Sequence, residues 1–415
     1  MKLIWFSHFV PYPPKGGNLQ RSYNLIRQAS RSYQVTLVAL NFLGESPERL
    51  RSHAEELKKY CERVEFWELP YPWRGARWQA AALASPLFRV PFSCRALYSP
   101  DLRSRWEQVL RETPGALLHL DSIDLGLFVP STKGFRKVLN HHNCESAMAL
   151  RRAQREPNRL KKTFLALQAR ELRRMEKSIC ADFENNLVVS EEDANQLRAI
   201  QPRADFSVVE NGVDTSYFQP AQEQEEANTL AFTGLLDWYP NVSGIRFFVR
   251  EVWPLVKMRF ADARLYLAGK NPAEEVLACA HADANIVVIP NPDDMRPILG
   301  RAAVCICPLL EGGGTRLKIL DALAMGKPMV TTTIGCEGLR VTHGENILVA
   351  DAPRDFADRL VQLFENQGLR RKIGAAGRAL VEREYSWDKI REQLEQAYRG
   401  AFETQTSDHH YESIR

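Results

Sequence analysis

Apolar runs of strand length alternate with longer segments of helical period along the whole of this chain. The runs at 3–6, 35–40, 64–67, 116–120, 138–140 and 187–190 are short. The stretches between them place apolar residues three or four apart, as Leu19, Tyr23 and Ile26 do. Strands spaced by helices pair in parallel with a helix covering each crossover, so this alternation predicts doubly wound α/β sheets. Another strand-like run follows at 207–209. Residues 219–228 are then polar, with no large apolar side chain, and read as a linker. The rhythm restarts at 229–233, 264–268, 286–289, 303–307 and 329–331. The chain therefore reads as two Rossmann-like domains in series, 1–215 and 229–385, with a linker at 216–228. A helix at 386–402 is expected to pack back toward the N-terminal domain, and a disordered tail to follow at 403–415. A length of 415 residues suits two domains of about 200 residues each.

Charge is uneven between the halves. Residues 1–200 carry 31 Lys and Arg against 21 Asp and Glu, although the whole chain is only +4. A basic half joined to an acidic one suits an anionic partner for the basic half. No segment approaches the ~20 uninterrupted apolar residues that a spanning helix needs, and the N-terminus lacks the small-residue cleavage site of a signal peptide. A cytoplasmic location is expected. No cysteine pair has C-x-x-C spacing, which argues against a zinc or dithiol redox site, and Cys305 and Cys307 read as core.

The strongest chemical signal is Glu311-Gly312-Gly313-Gly314-Thr315-Arg316-Leu317-Lys318-Ile319-Leu320-Asp321, placed between a strand and a helix. Glycines let a ligand approach the backbone closely. The helix start adds N–H donors and the positive end of its dipole, which suit phosphate. Arg316 and Lys318 bring two cations to the same turn, which a merely flexible loop would not require. No G-x-G-x-x-G follows the first strand of either domain, and there is no G-x-x-x-x-G-K-[ST] loop. Dinucleotide oxidoreductase and P-loop readings lose support, and no nucleic-acid partner is expected.

These motifs, in their order, resemble a family 4 glycosyltransferase of the GT-B fold. The resemblance is carried by Pro14-Lys15-Gly16-Gly17, by Asn211-Gly212-Val213-Asp214 with Phe218 and Pro220, and by Phe232-Thr233-Gly234. Residues 312–330 are its most specific part, joined by Glu337-Gly338-Leu339, residues 344–349 and Tyr385-Ser386-Trp387. Asp237-Trp238 with Pro240-Asn241 is similar to the subgroup associated with exopolysaccharide assembly. The resemblance implies two Rossmann-like domains facing each other across a cleft. It also implies retaining, metal-independent hexosyl transfer from a nucleotide-sugar donor, with no bound cofactor. Two departures stand out. Of the family's two Glu, Gly313 replaces the first and Asp321 the second. Leu235 and Asn241 stand where an Arg and a Lys usually follow the glycine of the first C-domain strand. The diphosphate role accordingly moves to Arg316 and Lys318, with Asp321 placed to accept from sugar hydroxyls.

Donor binding is thus assigned to Gly16, Gly17, Gly234, Gly312, Gly313, Gly314, Thr315, Arg316, Lys318 and Asp321. Gly16-Gly17 also fits a plain tight turn. His141-His142-Asn143-Cys144-Glu145 ends a strand at the carboxyl edge of its sheet, where α/β proteins bind ligands. Adjacent strand residues point oppositely, so one histidine at most lines a site. The family pattern picks His142, with Glu145 beside it, as the catalytic pair. His8 is a further cleft residue. A 2-epimerase of the same fold and an inactive sugar-nucleotide binder are the alternatives.

The segment 151–177 counts ten Lys and Arg against three Glu. Leu165, Leu172, Met175 and Ile179 share one helical face. It reads either as a solvated face or as a docking surface for an anionic membrane carrying a lipid-linked or glycan acceptor.

Overall fold

The computed structural model describes residues 1–14, 16–69, 82, 85, 89–220, 225–312 and 315–403. The chain forms two compact units, one of residues 1–210 with 391 onward and one of Asn211–Ile390.

The first unit holds seven parallel strands: β1 (Lys2–Ser7), β2 (Gln34–Asn41), β3 (Arg63–Glu68), β4 (Leu117–Leu120), β5 (Lys137–Asn140), β6 (Asn185–Val188) and β7 (Phe206–Val208). They lie in the order β3-β2-β1-β4-β5-β6-β7. Both faces of β1 from Leu3 onward and of β4 are buried and, Ser7 and His119 apart, apolar, as a sheet covered by helices on each side requires. β6 starts two residues before its apolar run, at two buried asparagines whose amide nitrogens find acceptors. Asn185 donates to Ser207 Oγ and the Ala397 carbonyl, and Asn186 faces His141.

The second unit repeats the plan with β8 (Thr229–Leu235), β9 (Arg264–Lys270), β10 (Ile286–Pro290), β11 (Val304–Cys307), β12 (Met329–Thr331) and β13 (Leu348–Val349). Its order, β10-β9-β8-β11-β12-β13, again turns outward in both directions from the first strand. Each sheet thus has a switch point beside its opening strand, β1 next to β4 and β8 next to β11. Loops leaving the carboxyl ends of those pairs are where such sheets bind ligands. Cys305 and Cys307 are buried in the core of this unit.

Two boundaries differ from the sequence reading. Residues 211–228 cluster with the second unit rather than forming the end of the first and a linker. Glu225 pairs with Arg370 at 2.9 Å and Glu226 accepts from Tyr266 at 2.7 Å, so part of this polar stretch supplies partners for the second unit. Residues 221–224 of the expected linker, and 404–415 of the expected tail, lie outside the described residues. The last helix, Trp387–Glu403, joins the first unit from Arg391 onward, where Tyr398 meets His119 and Arg136 caps the Ala401 carbonyl.

Candidate active site

In the second unit, the next-to-last residue of β8 is Gly234, whose φ of +149° favours glycine. A Cβ there would stand 2.8 Å from Lys318 Nζ. Lys318 lies in the first turn of the helix Leu317–Ala324. Its ammonium rests 3.9 Å from the Phe232 ring centroid and donates to Asn241 Oδ1 at 2.8 Å. Asn241 is fixed in turn by donating to the Leu235 carbonyl at 2.6 Å. Burial pulls the Lys318 ammonium down to about 8, with nearby Cys307 opposing the shift and the Arg316 charge reinforcing it. Arg316 is buried at the residue that opens the same helix, and a Cβ on Gly312 (φ +124°) would come within 3.0 Å of its guanidinium. Pro240 closes the other side of Gly312.

The structure therefore gathers Gly234, Gly312, Arg316 and Lys318 at the switch point of this sheet. Thr315 precedes them, and Asp321 stands one turn along the helix, partly exposed. Gly313 and Gly314 lie outside the described residues. Sequence reasoning used Asn241 in the subgroup resemblance and as a departure from the family pattern, and gave it no role in the site. Its spacing from Gly234 carried no hint that its amide would seat Lys318.

In the first unit, polar side chains from four elements converge behind the carboxyl ends of β1, β4 and β5. Asp121 directly follows β4 and is fully buried. Its Oδ2 accepts from Ser22 Oγ at 2.5 Å and Ser7 Oγ at 3.2 Å, and its Oδ1 from Asn140 Nδ2 at 2.7 Å. Burial alone would raise this carboxyl, but the imidazoles of His119 and His142 beside it hold it well below the usual range. Buried Arg21 donates to Asn140 Oδ1 and to the Glu210 carbonyl.

The two histidines after β5 separate. His142 Nε2 lies 3.0 Å from the Asp121 carbonyl oxygen and 3.5 Å from its Oδ1. His141 turns to Asn186 at 3.2 Å and to the Cys180 thiol, and burial draws it down to about 4. His8 sits with its ring centroid 5.9 Å from that of His142, and it too is pulled to about 4, chiefly by burial.

Glu145 opens the helix Glu145–Arg155 and accepts from Asn143 Nδ2 at 3.2 Å. Burial, with Asp124 next in effect, pushes its carboxyl up to about 8. Among the described residues, no hydrogen bond or ion pair joins it to His142. Gly16 caps the helix Gly17–Ala29 with φ +124°, and neither Gly16 nor Gly17 has a heavy atom within 4 Å of its Cβ position. Asp121 was missed by sequence reasoning. A lone carboxylate at the end of a strand, in His119-Leu120-Asp121-Ser122, was the available signal.

Family comparisons agree with this architecture. The family "Glycosyltransferase Family 4" matches residues 16–217, and "Glycosyl transferases group 1" matches residues 227–366. A Corynebacterium glutamicum protein named as a GDP-mannose-dependent monoacylated alpha-(1-6)-phosphatidylinositol monomannoside mannosyltransferase is 28% identical over 208 residues, 46% of this chain and 55% of that protein. A 44.6 kDa protein in the cps region of Klebsiella pneumoniae is 28% identical over 166 residues, 38% of this chain and 43% of its own. The chain spans about half the length of these curated relatives. Among solved structures, sucrose-phosphate synthase from Thermosynechococcus elongatus superposes with a TM-score of 0.72 over 97% of this chain and 100% of its own, at 16% identity. Anabaena HepE with UDP superposes at 0.67 over 96% and 100%, at 12% identity. With two such sheets and both family matches in chain order, the chain belongs to the family 4 glycosyltransferases of the GT-B fold.

Proposed function

We propose that this chain is a retaining, metal-independent hexosyltransferase. It takes a sugar from a nucleoside diphosphate donor and passes it to a glycan or lipid-linked acceptor in exopolysaccharide assembly. The observation that carries the reading is the Lys318 ammonium, seated against Gly234 by Asn241, beside Arg316 at the start of a helix. As the sugar–phosphate bond breaks, negative charge grows on the diphosphate. Two fixed cations and a helix N-terminus are already arranged to stabilise it, a task that a magnesium ion performs elsewhere. Retention rests on family membership. A nucleotide-sugar donor is supported by the names of relatives, which include GDP-mannose and UDP complexes. The relative in a cps region supports the assembly role.

The acceptor side takes its support from the hairpin of the helices Glu145–Arg155 and Arg159–Ile179. The apolar face shared by Leu165, Leu172, Met175 and Ile179 packs on the domain itself. Leu165 and Ile179 are buried, and Leu172 and Met175 pack on the core. A different set is exposed: Leu160 at 85%, Leu150 at 48% and Leu167 at 37%, among Arg155, Arg159, Lys161 and Lys162. Apolar tips ringed by cations suit an anionic leaflet, and the enzyme works there from the cytoplasmic side.

The test is a thermal-shift screen against UDP-, GDP- and ADP-sugars, followed by transfer assays in excess EDTA. One donor class should stabilise the wild type and fail to stabilise Lys318→Ala. Transfer should persist in EDTA. Stabilisation by none of them, or a requirement for added Mg²⁺, overturns the reading.

A further inference from the structure

We propose that Asp121 is a positioning residue for His142, fixing the imidazole with its proton on Nε2 and leaving Nδ1 as a hydrogen-bond acceptor. This rests on the glycosyltransferase reading and on the family pattern that picks His142 as catalytic. The argument begins with what each atom can do. A backbone carbonyl only accepts, so the 3.0 Å contact between His142 Nε2 and the Asp121 carbonyl requires a proton on Nε2. The Asp121 carboxylate, 3.5 Å from the same nitrogen, favours the same tautomer. In a neutral ring Nδ1 then carries the lone pair, so its natural partner is a hydroxyl that donates, as a sugar hydroxyl does.

Asp121 is itself held from several sides. Ser7 on β1, Ser22 on the helix Gly17–Ala29 and Asn140 on β5 donate to its oxygens. His119 Nε2 approaches Oδ1 at 3.8 Å while its Nδ1 meets the Tyr398 hydroxyl at 2.8 Å, and its ring stacks on Trp5 at 3.5 Å. A buried carboxylate costs several kcal/mol unless it is satisfied. Here β1, β5 and the helix Gly17–Ala29 supply hydrogen bonds to a charge that lies beside the imidazoles of His119 and His142. A purely apolar core would build the same sheet without that expense; the charge offsets buried Arg21 through Asn140 on one side and faces His142 on the other.

Asp121→Asn is the informative substitution, because it keeps the shape and removes the charge. An amide nitrogen in place of Oδ2 can donate to the Ser7 and Ser22 hydroxyls, which rotate to accept. Nitrogen-15 NMR of histidine-labelled protein, with the His142 signal assigned from His142→Gln, reports the tautomer directly. The wild type should show Nε2–H. In Asp121→Asn the backbone carbonyl still accepts from Nε2, so Nε2–H should remain the major form while Nδ1–H gains population, and kcat should fall about 100-fold, the scale of a misplaced catalytic group. The donor thermal shift should persist. Finding Nδ1–H in the wild type overturns the proposal without any variant. So does Asp121→Asn with an unchanged tautomer and kcat within twofold, an outcome that leaves the glycosyltransferase reading intact. If instead the wild type binds no nucleotide sugar, or His142→Gln is fully active, the underlying reading fails first. Should Asp121→Asn not fold, Ser22→Ala removes the 2.5 Å bond to Oδ2, and a smaller change of the same kind is expected.

Discussion

Lys318 Nζ and Asn241 Oδ1 are 2.8 Å apart, and that one bond fastens the helix after β11 to the end of β8. The ammonium it holds is drawn down to about 8 by burial. In the free enzyme, kcat/KM should therefore fall as pH rises past about 8, because the cation is lost. Stability has the opposite sign there. The folded pKa lies below the unfolded one, so between about 8 and 10.5 the unfolded chain binds more protons and stability rises with pH. A pH–rate profile checks the first statement. Lys318→Arg should move the alkaline limb upward, and Lys318→Ala or Arg316→Ala should lower kcat/KM about 100-fold with unchanged circular dichroism.

Gly234→Ala tests the seat rather than the cation. The new methyl would come within 2.8 Å of Nζ on a backbone at φ +149°, so the ammonium must move. Donor KM should rise about tenfold, equal to roughly 1.4 kcal/mol. A steady-state comparison with wild type decides it, and an unchanged KM would mean that Lys318 does not hold the donor.

Glu145 carries the reverse titration. Its folded carboxyl is raised to about 8, so the folded state holds a proton that the unfolded chain has released. This group's contribution is present below about 4.5 and is lost as pH rises toward 8. Glu145→Gln should match wild type in Tm near pH 4.5 and exceed it near pH 8.5. Equal melting curves at both values would remove the argument from burial.

The basic hairpin makes a prediction about surfaces. Wild-type protein should co-sediment with anionic liposomes at 50 mM salt and release as salt approaches 300 mM, as screened charge requires. Replacing Leu160, Lys161 and Lys162 by Gln should weaken binding more than replacing Arg174, which already pairs with Glu171 at 2.7 Å. Protein that ignores such liposomes at low salt has only a solvated face there.

The order of strands along the chain was legible because each is a short apolar run, and all but one stand where those runs lie. β13 was passed over, since two residues make no period. The cationic loop was legible as well, with glycines, Arg316 and Lys318 adjacent in sequence. Asp121 was not, because Ser7, Ser22, Asn140 and His142 reach it from positions up to 114 residues away. The stretch around Glu225 misled for a related reason: carboxylates that pair with Arg370 look, in sequence, like solvated linker charge.

The first unit is built from two pieces of chain, with Asn211–Ile390 inserted between them. On a ribosome, the second unit emerges whole before Arg391 appears. Tyr398 cannot reach His119, nor Arg136 the Ala401 carbonyl, until the final helix has left the exit tunnel. The usual order of synthesis, in which the N-terminal domain folds first, is thereby inverted. The inserted unit can mature while its predecessor waits with Trp5, His119 and Asp121 incompletely covered. A chain stalled just as Ile390 clears the tunnel would carry a completed second unit attached to an incomplete first one.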